Sequence, residues 1–273
     1  MKNDQHFTPG PIAEQPPPQI SGGEFQAASV HSDERLSNAL SAKAAELLVE
    51  HLFTPGAQQI PGIEYAVEYK LAHGRAGGDI VDVYQFDNQS VAFSVADISG
   101  KGVEAAIHAA MVKYGLRSYA SMGLSAESVL RALNRLYIEN SSYERRDSFA
   151  TAFFGHIDKH RAVMVYGSAA HDCVFILKPE KDIEALEVTA PILGVFDSQQ
   201  HLFCQKFEQL ETGTILVGVT DGVTEARSKD GTFYGTERLA ELITKHRGDS
   251  MSTLAGSIVA TAAAFAGGNP HDD

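Results

Sequence analysis

The chain of 273 residues has no tryptophan, only two cysteines, and too few basic residues to balance its acidic ones. Its 22 Lys and Arg residues face 35 Asp and Glu residues, which gives a formal charge of −13 at pH 7. This excess of negative charge argues against a nucleic-acid or anionic-membrane partner. Cys173 and Cys204 lack metal-ligand spacing, and because both fall in strand-like segments we expect buried thiols.

Long hydrophobic runs are also missing. No apolar stretch approaches the roughly 20 residues that a membrane-spanning helix needs, and the first ten residues, MKNDQHFTPG, lack the apolar core of a signal peptide. We therefore expect a cytoplasmic protein with no membrane contact. With 44% hydrophobic residues, the chain can bury one substantial core, so one domain plus a tail is expected.

The first part of the chain divides in two. Residues 1–31 are rich in proline and poor in apolar side chains, which predicts a disordered tail. Residues 32–54 form an amphipathic helix pattern that Ser32 can cap. Its apolar stripe either packs on its own domain or forms a homodimer through residues 33–53, and spacing does not separate these alternatives. The apolar residues are Leu36, Leu40, Ala44, Leu47, Leu48 and Leu52.

Residues 55–273 carry alternating strand patterns and longer helical patterns in separate blocks. Such segregation indicates an α+β fold in layers, since a parallel sheet would alternate strands with helices. The strands before and after the first two helices are each expected to form an antiparallel meander. Strands are predicted at Ile63–Leu71, Ile80–Phe86, Val91–Asp97, Ser148–Ile157, Ala162–Ala169, Cys173–Leu177, Leu202–Phe207 and Thr214–Thr220. Helices are predicted at about Val103–Tyr119, Ala126–Asn140, Thr236–His246 and Met251–Phe265.

Three acidic residues stand at predicted strand margins beside glycines. Asp97 ends the strand that begins at Val91, Asp79 follows two glycines before the neighbouring strand, and Asp221 ends the strand TILVGVT. Strand-end carboxylates from separated segments are the oxygen ligands that hard divalent cations prefer. Each acid taken singly is equally compatible with an ordinary surface turn, so the interpretation depends on the three occurring together.

Five ordered motifs resemble the bacterial branch of the metal-dependent PPM-type serine/threonine phosphatases. This branch includes phosphatases of the SpoIIE and RsbU types, and the resemblance covers about residues 36–273. The motifs are Gly77-Gly78-Asp79 with Asp82-Val83, Val95 to Gly102, Thr151 to Phe154, Ser168 to His171, and Thr220 to Ala226.

The resemblance implies a four-layer αββα sandwich of two antiparallel sheets flanked by helices. It also implies two Mn²⁺ or Mg²⁺ ions that activate a water molecule to attack a phosphoserine or phosphothreonine. Carried over by motif, Asp97 would bridge both ions, Asp79 would bind the second and Asp221 the first. The backbone carbonyl of Ile98 would add a ligand, and Asp272 would complete the first ion's ligands.

The sequence departs from the family pattern in two places. The final core strand that should hold Asp272 is absent, which would leave a sheet edge open to pairing with another chain. Ser168 and Ala170 replace the usual Asn and Gly before His171. His171 would either lie near the phosphate or be a turn histidine bonded to backbone, and Lys101 would either contact substrate phosphate or be solvated.

The resemblance therefore predicts a metal-dependent phosphoprotein phosphatase. Its expected substrate is a phosphorylated anti-sigma-factor antagonist of the STAS type, in a partner-switching pathway. The contrasting hypothesis is a binding module that keeps the fold without hydrolysing its partner. Intact Asp79, Asp97 and Asp221 favour the enzyme, whereas the absent final strand favours the module or a truncated, inactive enzyme.

Overall fold

The computed structural model describes residues 59–69, 78–100, 103–144, 148–196 and 202–267. The predicted tail 1–31 and helix 32–54 lie outside the described residues. The strands are β1 (Ile80–Gln85), β2 (Ser90–Ile98), β3 (Ala150–Asp158), β4 (Val163–Ala169), β5 (Val174–Leu177), β6 (Ile183–Ala185), β7 (Lys206–Gln209) and β8 (Ile215–Gly218). The helices are α1 (Val103–Ser121), α2 (Ala126–Glu144), α3 (Asp221–Thr224), α4 (Gly235–Lys245) and α5 (Met251–Phe265).

The larger sheet has five antiparallel strands in the order β1-β2-β3-β4-β7. The β1–β2 turn forms because the Asp87 carboxylate accepts hydrogen bonds from the backbone N–H groups of Gln89 and Ser90, at 2.7 and 2.8 Å. Helices α1 and α2 cover one face of this sheet. Buried residues of this layer include Ile80, Ala96, Leu116, Leu130, Leu133 and Tyr137.

The smaller sheet has the order β6-β5-β8 and faces the larger one. Gly218 permits close packing between the sheets, because a Cβ there would lie 2.7 Å from Val95 Cγ2. The core between the sheets includes Val83, Val91, Phe153, Met164, Val174 and Ile176. Side chains of α4 and α5 cover the outer face of the smaller sheet, among them Leu239, Ile243, Leu254 and Ile258. These four layers confirm the predicted αββα sandwich.

The structure corrects several sequence predictions at the level of single elements. Residues 64–69 form no strand, since only an isolated bridge joins Ile60 to Ile63. The strand predicted from Cys173 joins the smaller sheet instead of completing a meander, because β5 pairs with β6 and β8. The chain crosses between the layers just before β5, where Ala170 has φ +50°.

The predicted strand Leu202–Phe207 is displaced towards the C-terminus. Its regular pairing with β4 begins only at Lys206, because the N–H of Cys204 is bonded to the carbonyl of Thr189. Cys173 is buried as expected, whereas Cys204 is exposed, so the prediction for its thiol was wrong. None of the described helices has both the length and the apolar character needed to cross a bilayer.

Candidate metal centre

The acidic ends of β1 and β2 lie side by side. Ile80 pairs with Ala96, so continuing the antiparallel register places Asp79 opposite Asp97 and Gly78 opposite Ile98. A Cβ on Gly78 would lie only 2.2 Å from the carbonyl oxygen of Ile98, which is why this position requires glycine. Asp79 is buried and Asp97 is partly exposed. The structure therefore brings two predicted acids and the predicted carbonyl ligand to one sheet margin.

The turn after β2 is bonded to the beginning of β3. The Ser99 N–H donates to the Phe149 carbonyl at 2.9 Å, and the Phe149 N–H donates to Ser99 Oγ at 2.9 Å. Gly100 continues the turn with φ +110°, a conformation that glycine adopts readily. These two hydrogen bonds hold the turn Ser99–Gly100 against the sheet. We refer to this turn, which directly follows Asp97, as the acidic turn. Lys101 lies outside the described residues.

Ser148, just before β3, forms a polar cluster with one side chain each of α1 and α2. Ser148 Oγ lies 2.8 Å from His108 Nδ1 and 3.0 Å from Tyr137 Oη. Burial raises the pKa of Tyr137, and the negative charge of Asp97 raises it further, so the phenol stays protonated. Sequence reasoning missed this cluster because its members are far apart in the chain and follow no motif.

Asp221 approaches from the smaller sheet. It follows β8 and begins the short helix α3, while the preceding N–H of Val219 is bonded to the Cys173 carbonyl at 3.0 Å. Burial, followed by the hydrogen bond to Asp172, raises the pKa of Cys173 to about 12, and the negative charge of Asp221 adds to the rise. Cys173 is therefore a neutral thiol beneath the Asp221 segment.

One cavity joins the Asp79 and Asp221 segments. Its volume is about 860 Å³, and its lining includes Asp79 from the larger sheet and Thr220 and Gly222 beside Asp221. Across the described part of the chain, no three His, Cys, Asp or Glu side chains stand close enough together to hold one metal ion. The described residues thus pair Asp79 with Asp97 and place the Asp221 segment on a shared cavity. Asp272 lies outside them.

His171 lies behind the acidic margin, which is the sheet margin that carries Asp79 and Asp97. Its Nδ1 is 2.9 Å from the hydroxyl of Thr151, and Thr151 is the β3 partner of Asp97. The side chain is buried, and its Nε2 has no hydrogen-bond partner among the described residues. Burial lowers its pKa to about 4, against the opposing effect of the Asp172 charge, so the ring is neutral near pH 7. The buried ring is compatible with both alternatives, a residue near the phosphate and a turn histidine bonded to backbone.

The donor set fits a hard divalent cation. A buried carboxylate, a partly exposed carboxylate and a backbone carbonyl are all oxygen ligands of the kind that Mg²⁺ and Mn²⁺ take. Gly78 keeps the space beside the Ile98 carbonyl free of a side chain. The chemistry of this margin agrees with a metal site, although the described residues do not form a complete ligand shell.

Comparison with known proteins gives one consistent set of similarities. The model of the family Stage II sporulation protein E (SpoIIE) matches residues 87–273. The phosphoserine phosphatase RsbU of Bacillus subtilis is 30% identical over 195 residues, covering 70% of this chain and 56% of RsbU. This chain therefore spans only about half the length of that relative.

Two solved structures show the same fold. The SiaA-PP2C domain of Pseudomonas aeruginosa has a TM-score of 0.72 at 16% identity, covering 90% of this chain and 96% of that domain. The RsbU and RsbW domains of a Mycobacterium tuberculosis protein give 0.63 at 22% identity, covering 78% of this chain and 61% of that one. At these identities the similarity establishes the fold and does not establish the chemistry.

Proposed function

This chain belongs to the SpoIIE family, and from that premise we propose that it is a metal-dependent protein phosphatase acting on phosphoserine or phosphothreonine. The observation that carries this proposal is the pairing of Asp79 with Asp97 at one sheet margin, beside a carbonyl that Gly78 leaves accessible. The name of the RsbU relative supports the same reaction class.

Five residues would hold two Mn²⁺ or Mg²⁺ ions. Asp97 would bind both, Asp79 one, and Asp221 the other, with the Ile98 carbonyl and Asp272 as further ligands. When bound, such ions supply an activated water at neutral pH and stabilise charge on the phosphoryl oxygens.

Other groups of the protein would orient the acidic turn and contact the substrate phosphate. The Ser99–Phe149 hydrogen bonds orient the acidic turn. We assign His171 and Lys101 to the substrate phosphate. If Nδ1 of neutral His171 accepts the Thr151 hydroxyl proton, Nε2 carries the ring proton as a buried donor that a phosphate oxygen would have to reach.

The proposed substrate is a phosphorylated STAS-type anti-sigma-factor antagonist. Support comes from the RsbU relative and from the Mycobacterium tuberculosis protein, in which RsbU and RsbW domains occur together. Association of two copies through residues 33–53 and a cytoplasmic location belong to the same proposal. Removal of the phosphate would return the antagonist to its active form in a partner-switching pathway.

A second function is a binding module that recognises the phosphoprotein without hydrolysing it. The observation that favours it is the incomplete acidic cluster in the described part of the chain, where no three potential ligands meet. The two functions differ in whether the Asp79–Asp97 margin supports turnover.

Hydrolysis of an aryl phosphate during a Mn²⁺ titration tests the proposal. Asp97→Asn should lower kcat/KM by at least about a thousandfold with an unchanged melting temperature, because it removes the carboxylate expected to contact both ions. Asp182→Asn is the matched control, since Asp182 is exposed and lies outside the site. Equal activity of Asp97→Asn and the wild type would reject the two-ion site. Absence of hydrolysis by the wild type at every Mn²⁺ concentration would favour the binding module.

A further inference from the structure

Three large apolar side chains are exposed beside the acidic turn. Phe149 is 43% exposed, Val195 54% and Phe196 51%. We refer to these three residues as the apolar platform. Single exposed apolar side chains are common on protein surfaces, but a group of them at a site margin indicates a contact surface.

Two chain segments that are paired with each other carry the platform. Ala150 and Leu193 exchange backbone hydrogen bonds of 3.1 and 2.9 Å, and this register places Phe149 opposite Gly194. Gly194 has φ +89°, and a Cβ on it would lie 2.8 Å from the carbonyl oxygen of Ser148. The segment carrying Val195 therefore lies directly against the one carrying Phe149.

A buried side chain fixes the platform from below. Asn134 of α2 is fully buried, its Oδ1 accepts from the Gly194 N–H at 2.8 Å, and its Nδ2 donates to the Phe196 carbonyl at 2.9 Å. A buried amide satisfied by two backbone groups holds this part of the loop in one arrangement. Val195 and Phe196 thus remain exposed although their backbone is firmly held.

Phe149 of the platform is bonded directly to the turn that follows Asp97. Both backbone groups of Phe149 bond Ser99, which lies two residues beyond Asp97. A phosphorylated side chain that reaches the acidic margin would bring its neighbouring residues over Phe149. This continuity between the platform and the site indicates the substrate polypeptide as the occupant.

The charge of the protein indicates the chemistry of that polypeptide. The formal charge of −13 repels a phosphorylated segment at long range. The platform itself carries no charged side chain, so apolar contact is the attraction that it offers. We propose that the platform binds apolar residues flanking the phosphoserine or phosphothreonine of the protein substrate. This inference rests on the proposed function for the identity of the phosphorylated partner.

Two fluorescein-labelled phosphoserine peptides test the proposal. They are identical except that leucines flank the phosphoserine in one and serines flank it in the other. The wild type should bind the leucine peptide about tenfold more tightly, as expected from partial burial of a few apolar side chains. The double variant Val195→Ser/Phe196→Ser should bind both peptides equally in anisotropy titrations.

Two further variants separate the platform from general surface effects. Phe207→Ser removes a more exposed apolar side chain, 64% exposed on β7, and should keep the tenfold preference. Phe196→Leu should also keep most of it, since the leucine preserves apolar area. Melting temperatures within the wild-type range establish that the double variant is folded.

Each result bears on the proposal separately from catalysis. Equal binding of the two peptides by the wild type overturns it, as does loss of the preference in Phe207→Ser. Conversion of a wild-type dimer to a monomer by the double variant, measured by light scattering, also overturns it, since the platform would then join two copies. A wild type that keeps the preference but never hydrolyses either peptide refutes the phosphatase and retains the platform.

Discussion

At the scale of single residues, His171 stands out among the described histidines because its side chain is buried. Its ring is enclosed behind the acidic margin, where Thr151 contacts one nitrogen. The ring loses solvation when it is charged, and this is the main reason for its lowered pKa. The sequence motif identified the residue, but no pattern in the sequence could show that it would be enclosed.

The lowered pKa of His171 makes stability dependent on pH. Because the folded-state value is about 4 and the ordinary value is 6.5, the unfolded chain binds the proton more readily between these values. Stability is therefore lost as the pH falls through this window. His171→Asn should remove about 3 kcal/mol of the wild-type decrease in unfolding free energy between pH 6.5 and 4.

Urea unfolding followed by circular dichroism at several pH values measures this difference. His160→Asn is the matched control, because it makes the same substitution at an exposed position. Parallel curves for wild type and His171→Asn would show that the ring protonates equally in both states.

At the scale of elements, a buried ion pair fastens α1 to β1. Asp82 of β1 is almost fully buried and accepts two hydrogen bonds from the Arg117 guanidinium, at 2.5 and 2.7 Å. Lys113 of the same helix lies 3.9 Å away, and the Arg117 guanidinium stacks 4.7 Å from the Tyr84 ring centroid. Since α1 follows the acidic turn and β1 follows Asp79, this contact links two chain segments of the candidate metal centre.

Asp82→Asn should lower the free energy of unfolding by about 3 kcal/mol, because it neutralises the buried carboxylate that accepts both hydrogen bonds from the Arg117 guanidinium. Guanidinium chloride unfolding measures the change. Glu139→Gln breaks the exposed Arg135–Glu139 pair of α2 and should leave the midpoint unchanged. Equal effects of the two substitutions would mean that burial gives the Asp82 pair no special role.

The sequence predicted elements well where local pattern and burial agree. The strand that ends at Asp97 and the following helix were predicted closely, because alternation, glycines and the helical apolar period all occur within a short stretch. Residues 64–69 were predicted as part of a strand and do not form one. Alternation of apolar residues does not show whether a neighbouring strand is present for pairing. The Ser148–His108 and Asn134–Phe196 contacts join residues 40 and 62 positions apart, and no local pattern in the sequence predicts them.

At the scale of the whole molecule, charge should decide which phosphopeptides reach the site. Two divalent ions would offset only four of the thirteen excess negative charges. The domain that a substrate meets in solution is therefore still anionic, even if the centre itself attracts phosphate. Raising ionic strength from about 10 mM to about 150 mM shortens the screening length from about 30 to about 8 Å and removes most of this long-range field.

Salt should consequently act in opposite directions on oppositely charged substrates. At saturating Mn²⁺, kcat/KM for an acidic phosphoserine peptide should rise by about threefold over this salt range, because screening relieves repulsion. For a basic peptide of the same length it should fall by a similar factor, because screening removes attraction. Initial rates of phosphate release at low substrate concentration measure both. A fall for both peptides would locate the controlling charge in the metal centre itself, and the overall acidity of the chain would then have no part in substrate selection.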